Sequence, residues 1–291
     1  MSGFRIGVLS AIVAQVMWGL FPIYWKLLAD VQPLEVLSHR NIWCAVFLGV
    51  LVVASSWRRK TVFAVLCNGT EVLRHLLSSS LIAGNWLVYI WAVVNNHVID
   101  ASLGYFLSPL VSVILGYFFF SERPDRRQWL AVALAASGVA IMVIVSGVVP
   151  WIGLTLAATF GFYGMLRKKA STGPINGLFL ETLLLVPPTI IALVWLSANG
   201  SLSYVQPLGS NEILLALGGL VTAVPLVLYA QGARALPLGL SGLLVYVTPT
   251  IQFLVGWLFY SESISLASWF GFVCIWVALL IYGIGVARAQ N

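Results

Sequence analysis

Few residues in this chain could do chemistry, which makes each of them informative. Only 8% of its 291 residues are charged. An ionisable group in the middle of a spanning helix costs about 2.5–3.5 kcal/mol or more. Glu35 and His39 are four apart and share one helical face, and Arg40 is next along the chain. A carboxylate, an imidazole and a guanidinium this close suit a proton-responsive gate, because imidazole changes charge near neutral pH. They equally suit an interfacial cluster that satisfies itself and anchors its helix. Glu181 stands about two turns into a later apolar stretch with no partner near it in sequence. A carboxyl buried there could take up and release a proton. The alternative is that it snorkels towards Lys168 or Lys169.

A second set is uncharged. Asn85, Trp86 and Tyr89 lie in one apolar stretch, Tyr105 and Ser108 in the next, Gln15 and Trp18 in the first, and Tyr246 and Gln252 near the end. Mixed aromatic and amide faces of this kind suit a cavity that stacks on a flat organic solute. Packing or interfacial belts use the same residue types. Pro109 and Pro249 fall in mid-stretch, where each should bend its helix, as a hinge or as a fixed kink. No catalytic or metal site is expected. The chain has no His-Glu-x-x-His, no Gly-x-Ser-x-Gly, and no phosphate loop ending in Lys-Ser/Thr. Nothing calls for a cofactor, and an enzyme or an ATP-driven pump is disfavoured.

The elements that must position these residues are membrane helices. Hydrophobic residues make up 60% of the chain, more than a soluble fold of this length can hide. Apolar runs of about 20 residues are read at 6–25, 36–56, 75–94, 100–120, 127–146, 149–167, 174–196, 212–233, 238–260 and 266–286. All the Lys and Arg residues, Arg234 included, collect on one face of this arrangement except Lys26 and Arg40. The positive-inside rule then puts both termini in the cytoplasm. The net charge of +6 fits loops meeting an anionic leaflet, without any nucleic-acid partner. Cys44, Cys67 and Cys274 read as packing residues. Small residues at Ala131, Ala135 and Gly138 allow close helix contact, within the bundle or in a homodimer.

Shifting the chain by 140 residues places Ala83, Tyr89, Leu103, Pro109, Gly116, Ser121, Glu122 and Trp129 on Ala223, Tyr229, Leu243, Pro249, Gly256, Ser261, Glu262 and Trp269. Two repeats follow, 1–146 and 149–287. Each holds an odd number of spans, so the two copies insert upside down relative to one another. Inverted repeats around a midplane site are a recurring plan of secondary transporters.

Several motifs carry a family likeness. They are Glu35-Val36-Leu37-Ser38-His39-Arg40 with Ile42-Trp43, Gly84-Asn85-Trp86 before Trp91-Ala92-Val93, and Ala101-Ser102-Leu103-Gly104-Tyr105-Phe106 before Pro109-Leu110-Val111. Phe162-Tyr163-Gly164 before Arg167-Lys168-Lys169, and Glu181-Thr182, complete the set. The chain resembles the EamA family of the drug/metabolite transporter superfamily, and its RarD branch in particular. That resemblance implies an all-α integral membrane fold, ten helices in two inverted five-helix halves, with a central substrate cavity. The expected function is secondary transport of a small organic metabolite or drug across the cytoplasmic membrane, in the export direction. A membrane-embedded sensor or scaffold is the alternative.

Overall fold

The computed structural model describes residues 2–121, 123–203, 210–233 and 244–288. Glu122 and Leu243 of the repeat, Arg234, and residues 238–243 of the ninth expected span lie outside them. The described residues form helices and connecting turns, with no strand. In hydrocarbon a backbone N–H or C=O must find its partner within its own segment, and the helix provides this. The helices are α1 (Ser2–Gly19), α2 (Phe21–Lys26), α3 (Pro33–Val53), α4 (Ser56–Leu66), α5 (Gly69–Val94) and α6 (Val98–Phe120). They continue with α7 (Arg126–Ser146), α8 (Trp151–Lys169), α9 (Pro174–Ala198), α10 (Ser210–Ala233), α11 (Val247–Leu254) and α12 (Leu266–Arg288). One π-helical turn, Val255–Phe259, extends α11.

Among the described residues, seven stretches are long and apolar enough to cross a membrane: Arg5–Lys26, α3, α5, α6, α7, α9 and Asn211–Tyr229. Val247–Phe259 and Leu266–Tyr282 are shorter apolar helices, and α8 ends on the charged run Arg167, Lys168 and Lys169. Polarity is inside out. Phe118, Ile144, Ile191, Leu266 and Leu280 project outward, while Glu35, Arg40, Asn41, His75, Asn85, Glu181 and Gln252 are buried. Such an exterior requires lipid as its solvent.

Local sequence accounts for the helix ends. Pro33 and Pro174 sit in first turns, where the missing N–H has no partner to lose. Asn68 accepts from the N–H groups of Thr70 and Glu71, and Asp125 and Gln128 form a capping box. The first span is broken at Leu20, with Pro22 opening α2.

Two expectations need correction. Residues 56–66 read as a basic connection but form α4, capped by the Ser55 hydroxyl. Val62 and Val65 of α4 pack on Val52 and Leu180, while Trp57 and Phe63 are exposed. This apolar edge lies beside the basic residues Arg58, Arg59 and Lys60. Pro249 is not a mid-helix kink: it lies in the first turn of α11, where it breaks no helical hydrogen bond. Pro109 does fall inside α6, which stays helical through it.

The bundle packs α6 on α8, α3 on α9 and α10, α1 on α10 and α11, α5 on α8 and α9, and α7 on α12. Glycines allow the tightest of these approaches. A Cβ at Gly104 would lie 2.7 Å from the Gly153 carbonyl oxygen, and one at Gly138 would lie 2.9 Å from that of Gly271. The small face of α7, with Ala131, Ala135 and Gly138 buried, is therefore spent on α12 within the chain.

Candidate functional site

Helix α5 threads three polar layers together. His75 and Ser78 lie near its Gly69 end, Asn85 and Tyr89 lie further along, and its Val94 end forms the third layer. At 1.5 Å per residue, His75 and Tyr89 are about 20 Å apart along the axis.

The first layer is built around Glu181 of α9, which is fully buried. Ser78 donates to its Oε1 at 2.7 Å and Tyr163 to its Oε2 at 3.1 Å. Arg167 Nε lies 3.6 Å and His75 Nδ1 3.8 Å from Oε1. Thr172 joins the layer, accepting from Arg167 Nη1 at 3.1 Å and lying 3.3 Å from His75 Nε2. The carboxylate does not reach out to Lys168 or Lys169. Two hydroxyls, a guanidinium and an imidazole hold it in the interior. Below it, Glu71 pairs with Arg74 and accepts from Ser171, which ties α5 to the α8–α9 connection.

The middle layer gathers most of the uncharged residues singled out from the sequence. Gln252 Nε2 donates to the Tyr89 hydroxyl at 3.1 Å and to the Trp18 carbonyl at 3.2 Å. Tyr89 and Tyr105 meet edge to face, with ring centroids 5.6 Å apart. The Tyr105 hydroxyl donates to Asn85 Oδ1 at 3.3 Å, and Asn85 Nδ2 donates to Thr159 Oγ1 at 2.8 Å. Thr248 donates to Gln15 Oε1 at 2.6 Å. Trp86 carries the guanidinium of Arg40 on its ring face at 4.0 Å. Ser108 is buried but turned back onto its own helix, donating to Gly104 at 2.8 Å. Tyr246 packs in a separate apolar cluster with Phe253 and Phe272. A cavity of about 450 Å³ lies apart from this layer, among α6, α7 and α8, lined by Ser112, Arg123, Gln128, Gly161 and Lys168.

At the Val94 end, Lys26 donates to the carbonyls of Val93 and Val94, both at 3.1 Å, so a cation faces the negative end of α5. Glu262 does the reverse for α6, accepting from the Val98 and Ile99 N–H groups at 2.8 Å each. Burial, and then the Glu262 charge, push the neighbouring Tyr260 phenol above its usual pKa. Glu35 accepts from the Ser203 N–H at 2.9 Å, and its charge acts on His39. Arg40 is not part of that pair. Five residues on, it turns about 140° round the helix and enters the middle layer. The expected triad is thus split between two faces of α3. Glu262→Ala should cost about 2 kcal/mol, because two charge-assisted bonds to α6 are lost. A lower unfolding midpoint together with faster amide exchange at Val98 and Ile99 would establish this; unchanged exchange would refute it.

Sequence reading missed His75, Ser78, Tyr163, Arg167, Thr222, Thr248 and Glu262 as members of these layers. His75 and Arg167 fall at the ends of the expected spans 75–94 and 149–167 beside basic residues, and partners from α5, α8 and α9 meet only in the fold.

Comparison with known proteins agrees with this architecture. Residues 5–144 match the family model described as the EamA-like transporter family. An "uncharacterized transporter" of Vibrio cholerae is 41% identical over 286 residues, covering 98% of this chain and 94% of the relative. The "uncharacterized transporter YojE" of Bacillus subtilis is 44% identical over 283 residues, covering 95% and 93%. "Protein RarD" of Escherichia coli is 40% identical over 290 residues, covering 99% and 97%. A solved crystal structure superposes with a TM-score of 0.60 at 19% identity, covering 97% of this chain and 98% of that one, a likeness of fold alone. These helices, with their lipid-facing exterior and buried polar layers, define a multi-pass membrane protein. The chain belongs to the EamA-like transporter family.

Proposed function

We propose that this chain is a secondary transporter that moves a small organic metabolite or drug out across the cytoplasmic membrane by alternating access. In this reading ten spans form two inverted halves, 1–146 and 149–287, with both termini in the cytoplasm. The observation that carries it is where the buried polar contacts run. Gln15 to Thr248, Arg40 to Thr222, Asn41 to the Thr182 carbonyl, Asn85 to Thr159, Tyr89 to Gln252, and Ser78 to Glu181 all join one half to the other. An apolar seam inside lipid would gain nothing by opening. A polar seam can exchange its partners for water and for a solute, which is what a rocking interface needs.

Local symmetry supports the inverted halves. Ser121 and Ser261, 140 residues apart, both adopt left-handed backbone, with φ of 54° and 52°. The Gly116 carbonyl accepts from the Ser121 N–H, and the Gly256 carbonyl accepts from the Glu262 N–H. Glu181 with His75 at one end, and Glu35 with His39 at the other, are the groups suited to carry protons. Proteoliposomes loaded with a metabolite extract test the proposal, with mass spectrometry of the lumen as the readout. The protein should deplete a small set of solutes that empty liposomes retain. Identical lumenal contents would contradict it.

A further inference from the structure

We propose that Arg40 is the anchor for an anionic group of the solute, and that the solute is an organic carboxylate with an aromatic or apolar body. Arg40 is only 3% exposed. Its Nε donates to Thr222 Oγ1 at 2.8 Å, and its guanidinium lies 4.0 Å from the Trp86 ring and 5.1 Å from the Trp25 ring. Nη1 is buried with no hydrogen-bond partner among the described residues. The titratable groups acting on it are Cys44, Tyr105 and Tyr89, none of which is a carboxylate. Four acidic residues are engaged elsewhere: Glu181 with Arg167, Glu262 with the start of α6, Glu71 with Arg74, and Glu35 with the Ser203 N–H; Glu212, ten residues before Thr222 on α10, is not among the groups acting on Arg40.

A cation so enclosed, with no carboxylate paired to it among the described residues, is unfavourable in the ligand-free protein. A carboxylate oxygen accepting from Nη1 would supply both the missing hydrogen bond and the missing charge. Guanidinium suits this better than an ammonium would, because it forms directed bonds to carboxylate while lying flat on an aromatic ring. One cation balances one negative charge, which favours a carboxylate over a phosphate dianion. Trp25, Trp86, Tyr89 and Tyr105 offer apolar and aromatic surface to the rest of the solute. Gln252 Oε1, also buried and without a partner, offers an acceptor for a donor on it.

That the bound molecule is also cargo rests on the transport reading; the binding does not. Benzoate, phenylacetate and indole-3-acetate, each paired with its neutral amide, are the probes for thermal shift of the purified protein. The carboxylates should raise the midpoint by several degrees more than the amides in the native protein, and this difference should vanish in Arg40→Gln. Arg40→Lys should retain part of it. Without ligand, Arg40→Gln should melt at or above the native midpoint, because it removes an unbalanced buried charge. Equal shifts for acids and amides, no shift for any acid, an undiminished shift in Arg40→Gln, or a lower ligand-free midpoint for that variant would each overturn the proposal. Efflux of the bound acid from proteoliposomes separates the two readings: binding without efflux refutes transport and leaves the anion site standing.

Discussion

Replacing Glu181 with glutamine is expected to lower the stability of the purified protein by about 3 kcal/mol, towards the lower end of what breaking a buried ion pair costs. The substitution keeps side-chain volume and one acceptor for Ser78, but leaves Arg167 without the carboxylate 3.6 Å from its Nε. Arg167 keeps Thr172 and the Gly173 carbonyl, which moderates the loss. The same variant should make any transport insensitive to pH, because it removes the carboxyl buried within the spanning bundle. Denaturant unfolding in mixed micelles gives the first quantity and efflux at varied pH the second. Native stability in the glutamine variant would mean that the Glu181 layer does not hold α5, α8 and α9 together.

Gly219→Ala should be nearly as damaging, although it adds one methyl group. A Cβ at Gly219 would lie 2.4 Å from the Trp43 carbonyl carbon and 2.5 Å from the Cys44 backbone nitrogen. Those atoms belong to the α3 backbone, so the clash is relieved only by moving a whole helix. Overpacking of this kind costs about 1–3 kcal/mol. Thr222 is three residues along α10 from Gly219, and Arg40 is three to four residues along α3 from Trp43 and Cys44. Separating the helices should therefore lengthen the 2.8 Å bond between Arg40 and Thr222. The variant should show a lower unfolding midpoint and altered tryptophan emission from Trp25 and Trp86. A native-like midpoint would mean that α3 and α10 do not need this contact.

The membrane class was legible in the sequence because lipid leaves a compositional mark: long apolar runs punctuated by Pro, Gly and charge. Asn85, Tyr89, Tyr105 and Gln252 could be singled out because amides and phenols are conspicuous in such runs, and the fold brings them into one network. What stayed hidden depended on distance in sequence. Glu181 looked solitary because Ser78, 103 residues before it, is its nearest hydroxyl partner. Arg40 looked like a partner of Glu35 because only five residues separate them in sequence, whereas helical rotation places them on different faces. The α4 helix was missed because its apolar run is too short to span a bilayer and its basic residues resemble a loop. Pro249 misled because an apolar run does not reveal where within it a helix begins.

The central claim is that the middle layer meets water from each side of the membrane in turn. Asn85→Cys tests it most directly, in a background lacking Cys44, Cys67 and Cys274, the three native free thiols. Asn85 is 1% exposed, so a static bundle would hide the new thiol completely. In oriented vesicles, a membrane-impermeant thiol reagent should label it when added from either side, with a native elution profile as the control for folding. Labelling from neither side, or from one side only, would contradict the account.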